Sequence, residues 1–155
     1  MSSQMESVKK SDNENVVSYP ALPIYQTVIA CLLAYLIPGL GHIYLTRWQR
    51  GLAFFASIYA MFILGIVMKG HLYGLDINFA TEKLSILLTF ANAGTGLVYW
   101  VLHLLHSVSN ISIGFGLPQA EVPTYEYANT FLWTAGLLNY LVAMDAYDIA
   151  VGRKK

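Results

Sequence analysis

The chain alternates long apolar runs with short polar connections. A membrane-spanning helix needs about 20 mostly apolar residues, because the hydrocarbon core is ~30 Å thick and a helix rises about 1.5 Å per residue. The pattern predicts an all-α integral membrane bundle of about four transmembrane helices within residues 24–150, with spans at residues 24–45, 52–68, 84–109 and 127–149. Residues 1–23 are polar and are predicted to be a disordered tail, and residues 151–155 form a basic C-terminal tail.

The first apolar run is interrupted at Pro38-Gly39-Leu40-Gly41. Its uninterrupted part, residues 24–37, would make a helix of roughly 21 Å, which is too short to cross the hydrocarbon core comfortably. Pro38 removes a backbone donor, and Gly39 and Gly41 lower helix propensity, so the first helix is predicted to be broken there. Backbone groups freed at a break cannot face acyl chains. The motif should therefore face protein or a water-filled cavity.

Residues 46–51 form a short polar turn after this motif, ending at Gly51. Tyr44 and Trp48 suit the membrane interface, where an amphipathic ring lies at the depth of the headgroups. Arg47 and Arg50 can reach lipid phosphates from there. Because the connection is short, the first two predicted spans should form an antiparallel helical hairpin.

The distribution of charge agrees with a membrane protein. The 155 residues are 56% hydrophobic and 12% charged, whereas soluble domains average about 25% charged residues. The net charge is zero and the longest basic run is at residues 153–155, so nucleic acid is excluded as a partner. Cys31 is the single cysteine, lies inside the first apolar run and is interpreted as a packing residue.

Basic residues orient the four predicted spans. An even number of spans puts both termini on one side, with the turn that contains Arg47 and Arg50 on the other. Because basic residues mark the cytoplasmic side, both termini are predicted to be cytoplasmic. A re-entrant first hairpin that does not span the membrane is the alternative, and it would alter this count. The seven basic residues on the side of the termini are Lys9, Lys10, Lys69, Lys83, Arg153, Lys154 and Lys155.

Small and polar residues predict how the helices pack. Asn92 and Asn139 lie in the middle of spans, where each is expected to bond to a neighbouring helix and contribute about 1 kcal/mol. Small residues let helices approach closely in a membrane. The second span carries the stripe Ala53, Ala56, Ser57 and Ala60, and the fourth carries Ala135, Asn139, Ala143 and Ala146.

The histidines could bind a haem or a metal ion, since neutral imidazole is a good ligand. His103 and His106 are three residues apart on one helix, so they cannot approach a single haem from opposite faces. His42 paired with either of them could do so if the helices face each other. The favoured interpretation is that these histidines form hydrogen bonds between helices or reach headgroups.

Signals for an enzyme are missing from the sequence. It contains no Gly-x-Ser-x-Gly, His-Glu-x-x-His or Cys-x-x-Cys motif, so the chain is predicted not to be an enzyme. Asp145 and Asp148 are interpreted as solvated caps at the end of the last span, on the opposite side of the membrane from Arg47. No acidic residue is predicted near the midplane, which argues against a proton-driven pump.

Two stretches resemble a known group of proteins. Residues 36–45, LIPGLGHIYL, with the following Arg50-Gly51 and residues 52–55, resemble the hairpin of small bacterial multi-pass proteins grouped as a domain of unknown function. This hairpin is also distantly similar to the two-transmembrane domain, although Thr46 stands where the wider pattern has glycine. Residues 134–147, TAGLLNYLVAMDAY, resemble the last span of the same bacterial family. The resemblance implies a membrane fold in a bacterial inner membrane, and it assigns no activity or catalytic residue.

Three functional hypotheses follow. The leading one is a structural or accessory membrane subunit, which acts through helix packing with itself or with other membrane proteins and is surrounded by lipid. The second is a haem- or metal-binding membrane protein that uses His42 with His103 or His106. The third is a small transporter with its site at the break between Pro38 and Gly41, by analogy with the discontinuous helices of transporters.

Overall fold

The computed structural model of the protein describes residues 20–74, 83–109, 111–116, 118 and 120–154. This part of the chain is helical and contains no strand, which confirms the predicted all-α class. The predicted tail at residues 1–23 lies almost wholly outside the described residues. The helices in the described part are α1 Ile24–Leu36, α2 Leu40–Tyr44, α3 Trp48–Val67, α4 Lys83–Ala93, α5 Leu97–Ser109 and α6 Tyr125–Ala150.

The longest helix, α6, lies at the centre of the bundle and packs against α1, α3 and α4. Its 26 residues make a rod of about 39 Å. Its polar residues Asn129 and Asn139 are both buried. The apolar core between α6 and its neighbours consists of Ile58, Phe62, Leu72, Leu132, Ala135 and Val142.

The helix α3 runs antiparallel to α6. Gly65, near the end of α3, packs against Leu132 near the start of α6, and the Thr124 hydroxyl donates to the carbonyl of Met68 at 3.1 Å. We call this the loop end of the bundle, and the end where α6 stops at Ala150 the terminal end. By length and composition, α3 is the one described helix that could cross a membrane alone.

The helices α1 and α2 form a hairpin that enters and leaves at the terminal end. The backbone N–H of Leu22 donates to the carbonyl of Ala150 at 2.9 Å, so α1 begins beside the last turn of α6. It stops halfway along α6, where the amide of Asn139 donates to the carbonyl of Tyr35. Gly39, at φ +82°, then turns the chain back. His42 in α2 lies beside Asp145, again close to the terminal end.

The direction of the chain after the break therefore differs from the predicted span at residues 24–45. We expected Arg47 on the opposite side from Asp145, but α3 starts at the terminal end, where Arg50 lies close enough to Lys154 for their charges to act on each other. The physical reason is the length of α1. Its 13 residues reach only about 20 Å, and the turn at Gly39 reverses the chain instead of kinking it.

A second hairpin, α4–α5, replaces the single span predicted at residues 84–109. The two helices are bent by 116° at the break formed by Gly94, Thr95 and Gly96. The Thr89 hydroxyl of α4 donates to the carbonyl of Gly74, and the Tyr99 hydroxyl of α5 donates to the carbonyl of Tyr73, both near the loop end. Neither helix is long enough to cross a membrane alone, and the two together are long and apolar enough only as a bent unit. Four separate spans are therefore more than the described residues show.

Candidate functional site

The tips of the two hairpins meet halfway along α6. Gly96 adopts φ +77°, and a Cβ atom there would overlap the carbonyl oxygens of Tyr35 and Leu36 at the tip of the first hairpin. Gly94 packs with similar closeness against the carbonyl of Gly136 in α6. Side chains larger than hydrogen would not fit at these contacts. We call this meeting point of the two hairpins with α6 the junction.

Asn139 joins all three parts of the junction. Its side-chain amide nitrogen donates to the carbonyl of Tyr35 at 2.9 Å and to the carbonyl of Gly94 at 2.8 Å. Asn139 is fully buried. One amide group therefore satisfies a carbonyl that each helix break has freed, which is the requirement for irregular backbone inside a membrane.

Other polar side chains bond to the remaining carbonyls around the breaks. The hydroxyl of Tyr35 donates to Ala93 and that of Tyr140 donates to Phe90, each at 3.1 Å. The hydroxyl of Thr95 donates to the carbonyl of Asn92 at 2.6 Å. These contacts explain why an apolar chain keeps polar residues at these particular positions.

Asn92 differs from Asn139 because its side chain has no partner. It is fully buried, and neither its amide nitrogen nor its amide oxygen forms a hydrogen bond within the described residues. The oxygen of the Asn139 side chain is also without a partner there. The interhelical bond expected at both asparagines is therefore found for Asn139 but not for Asn92.

His42 lies in a second polar cluster, close to the terminal end. Its imidazole is fully buried and lies edge-on to Phe54. The Nε2 atom of His42 is 3.0 Å from Oδ2 of Asp145, and the Lys154 ammonium donates to Oδ1 of Asp145 at 2.8 Å. The hydrogen bond and the charge of Asp145 raise the pKa of Lys154. This cluster ties α2, α6 and the C-terminal tail together.

The contact between His42 and Asp145 was not predicted from the sequence. A first span that crosses the membrane puts the turn after His42 on the opposite side from Asp145, and only the re-entrant alternative allows the two residues to meet. The signal that could have found the contact is the length of the run before Pro38, which is long enough for about two-thirds of a crossing only. A returning chain brings residues 42–50 to the end where α6 stops.

The glycines of the broken motif are packing residues. A Cβ atom on Gly39 would overlap the carbonyl oxygen of Gly51, and one on Gly41 would overlap that of Ala30. Pro38 is buried in the same region. Protein therefore fills the space around the break, which favours a packing role over the transport site considered at Pro38–Gly41.

The remaining motif residues lie at the surface of the terminal end. Tyr44 and Trp48 are exposed, as the interfacial interpretation requires. Arg50 is exposed and Arg47 is partly buried. Arg50 lies near Lys154, so the turn that contains both arginines lies at the terminal end of the bundle.

The structure does not bring His42 together with His103 or His106. His42 pairs with Asp145 near the terminal end, whereas His103 lies beside Gly74 and stacks on Tyr99. His106 stacks on Phe115. Among the residues that the structure describes, no group of three or more His, Cys, Asp or Glu side chains is arranged to hold a metal ion. The geometry thus lends no support to a haem held by His42 and a histidine of α5.

Comparison with known proteins gives a family but no function. The sequence model of a family of unknown function, DUF6677, matches residues 29–155. No curated protein and no solved structure matches the chain. The match covers α1 from Ile29 onward and all of α2 to α6.

Proposed function

Since the chain belongs to DUF6677, a family of unknown function, we propose from its structure that it is an integral membrane protein with two crossing helices. In this proposal α3 spans the bilayer alone, and α6, which is not apolar enough to do so alone, spans it because the hairpins cover its polar middle. The hairpins α1–α2 and α4–α5 enter the bilayer from opposite sides. The proposal keeps the predicted membrane location. It replaces the first and third predicted spans by hairpins that reach half the depth of the bilayer.

The distribution of polar and apolar side chains supports this placement. Large apolar residues of α3 and α5 point outward, among them Leu52, Ile63, Val67, Leu104 and Val108. The polar side chains of His42, Asn92 and Asn139 point inward and are fully buried. A water-soluble protein rarely exposes large contiguous apolar surfaces, whereas lipid is a favourable environment for them.

The helix lengths also fit a bilayer. The 20 residues of α3 and the 26 of α6 reach about 30 Å and 39 Å, enough to cross a hydrocarbon core of ~30 Å. Glu126, Asp145 and Asp148 lie near the ends of α6, and the hairpins cover its polar middle. The hairpin helices α1, α4 and α5 reach only about 16–20 Å, and α2 is shorter still.

The basic residues again favour cytoplasmic termini, although the residues counted on each side differ from those in the four-span prediction. When both arginines of the turn lie on the side of the termini, that side carries seven basic residues and the other carries Lys69 and Lys83. The excess favours cytoplasmic termini in a bacterial inner membrane. The seven are Lys9, Lys10, Arg47, Arg50, Arg153, Lys154 and Lys155.

Cysteine labelling tests this topology. In a Cys31→Ser background, we expect a membrane-impermeant maleimide to label Glu121→Cys in intact spheroplasts. Gln49 and Arg153 are exposed at the terminal end, which the proposal places in the cytoplasm. Gln49→Cys and Arg153→Cys should therefore react only after permeabilisation. Labelling of both Gln49→Cys and Glu121→Cys in intact spheroplasts would contradict this topology and would instead support a first span that crosses the membrane.

Within the membrane, we infer that the protein is a structural or accessory subunit that associates through α3. The observation that carries this inference is the exposed face of α3. Its small-residue stripe, Ala53, Ala56, Ser57 and Ala60, is exposed, whereas Ala135, Asn139 and Ala146 of the α6 stripe are buried by the protein's own helices. Close approach of a second helix to α3 is therefore sterically open.

A bulky residue on this face should weaken association. We expect Ala60→Leu to weaken a homodimer, or a complex with a partner subunit, by roughly tenfold, because the added side chain separates the helix backbones. Single-molecule photobleaching in liposomes over a range of protein densities measures the change for the homodimer, and co-purification measures it for a partner. Phe55→Leu is the control, since Phe55 is exposed on another side of α3. A wild-type protein that stays monomeric and without a partner would contradict the proposal.

A further inference from the structure

A cleft between α3 and α6 opens at the terminal end of the bundle. Its volume is about 390 Å³. The polarity of the cleft changes along α6, since apolar residues line the part nearer the middle of the helix and charged residues line its mouth at the terminal end. The apolar lining consists of Phe54, Leu138, Leu141, Val142 and Met144, and the charged lining consists of Asp145, Asp148 and Lys154.

The length of the cleft fits one leaflet of a bilayer. From Leu138 to Asp148 the helix rises about 15 Å, which is half the thickness of the hydrocarbon core. Leu141 and Met144 are 60% and 64% exposed, so the apolar part opens sideways toward the surroundings of the bundle. A lipid chain could therefore enter from the membrane without passing the charged mouth.

The charges at the mouth have both signs. The carboxylate of Asp145 already contacts both His42 and Lys154. Asp148 is less engaged, because its contact with Arg153 is 3.4 Å long and the Arg153 side chain is 68% exposed. Arg50 lies near Lys154, so the mouth of the cleft also has two neighbouring positive charges. A mouth with carboxylates beside cations complements a zwitterion better than it complements an anion.

We propose that this cleft binds one phospholipid whose headgroup carries an ammonium group, such as phosphatidylethanolamine. An acyl chain lies along Leu138, Leu141 and Met144. The phosphate lies at Lys154 and the ammonium group at Asp148. The proposal rests on the proposed membrane function, because it requires the terminal end to lie at the depth of the headgroups.

Native mass spectrometry of the full chain in mild detergent tests the lipid site. The delipidated protein is titrated with phosphatidylethanolamine and with phosphatidylglycerol that have identical acyl chains. We expect one equivalent of phosphatidylethanolamine to bind about fivefold more tightly than phosphatidylglycerol, as one partly exposed ion pair would give. Asp148→Asn should bring the two affinities together, and Asp148→Glu should keep the preference. Leu141→Trp, which fills the apolar part, should weaken binding of both lipids.

Equal affinities for the two lipids in the wild-type protein would overturn the proposal without any variant. An unchanged preference in Asp148→Asn would overturn it as well. Either result, in a protein with the topology described above, would leave the proposed membrane function standing. A different result from cysteine labelling would overturn the membrane topology itself.

Discussion

Gly41→Leu is expected to prevent the first hairpin from folding, whereas Leu40→Ala should leave most of the protein folded. A Cβ atom at Gly41 would overlap the carbonyl oxygen of Ala30 and would lie 2.6 Å from Cβ of Ala34. Both contacts are with α1, whose backbone is held by α6. Neither can move without displacing the hairpin, so we expect a loss of more than about 4 kcal/mol in the free energy of unfolding.

The measurement is equilibrium unfolding in mixed micelles of mild detergent and dodecyl sulfate, with the yield of monodisperse protein as a second readout. Leu40 is only partly buried, so its truncation should cost about 1–2 kcal/mol, below the range for a fully buried leucine. Gly41→Ala should lie between the two variants, since it adds the overlapping Cβ alone. Equal unfolding midpoints for Gly41→Leu and Leu40→Ala would show that α2 does not pack on α1 in this way.

Local signals in the sequence are sufficient to predict the helical class, the first break and two of the long helices. Proline and two glycines within four residues mark the break at Pro38 because they act on the backbone directly. The predicted spans at 52–68 and 127–149 lie close to α3 and α6, which are Trp48–Val67 and Tyr125–Ala150. Continuous apolar runs with charges at their ends define such helices without reference to the rest of the chain.

The direction of the chain after a break is not a local property. The same Pro38-Gly39 pair is compatible with a kink or with a reversal, and the contacts of Gly39 with Gly51 and of His42 with Asp145 select the reversal. The second break has a weaker signal. Gly94 and Gly96 lie in an apolar run without proline, and a glycine costs a helix only about 1 kcal/mol, so the pattern does not distinguish a turn from a packing contact.

The candidate site was predictable in its residue types but not in its arrangement. Asn139 stands out as an amide in the middle of an apolar helix, which predicts a bond to a neighbouring helix. One amide group can bond to the tips of both hairpins only because the chain reverses twice. Proline marks only one of these two reversals. The role of Asn139 as the link between the hairpins therefore emerges only from the structure.

Asn139→Leu is expected to destabilise the protein by about 2–4 kcal/mol, because it leaves the carbonyls of Tyr35 and Gly94 buried without these donors. Asn129→Leu is a matched control on the same helix. Asn129 is also buried, but it accepts a single hydrogen bond, from the backbone N–H of His71 at 2.7 Å. Its loss should cost roughly half as much.

The unfolding midpoint in the same mixed micelles measures both variants, and a local probe separates loosening of the junction from a general loss of stability. The indole N–H of Trp100 donates to the Tyr35 hydroxyl at 3.2 Å, across the two hairpins. With Trp48 and Trp133 replaced by phenylalanine, Asn139→Leu should shift the emission of Trp100 because the tips separate, and Asn129→Leu should not. Equal destabilisation by the two variants with unchanged Trp100 emission would contradict a linking role for Asn139, since the hairpins would then hold together through their apolar contacts alone.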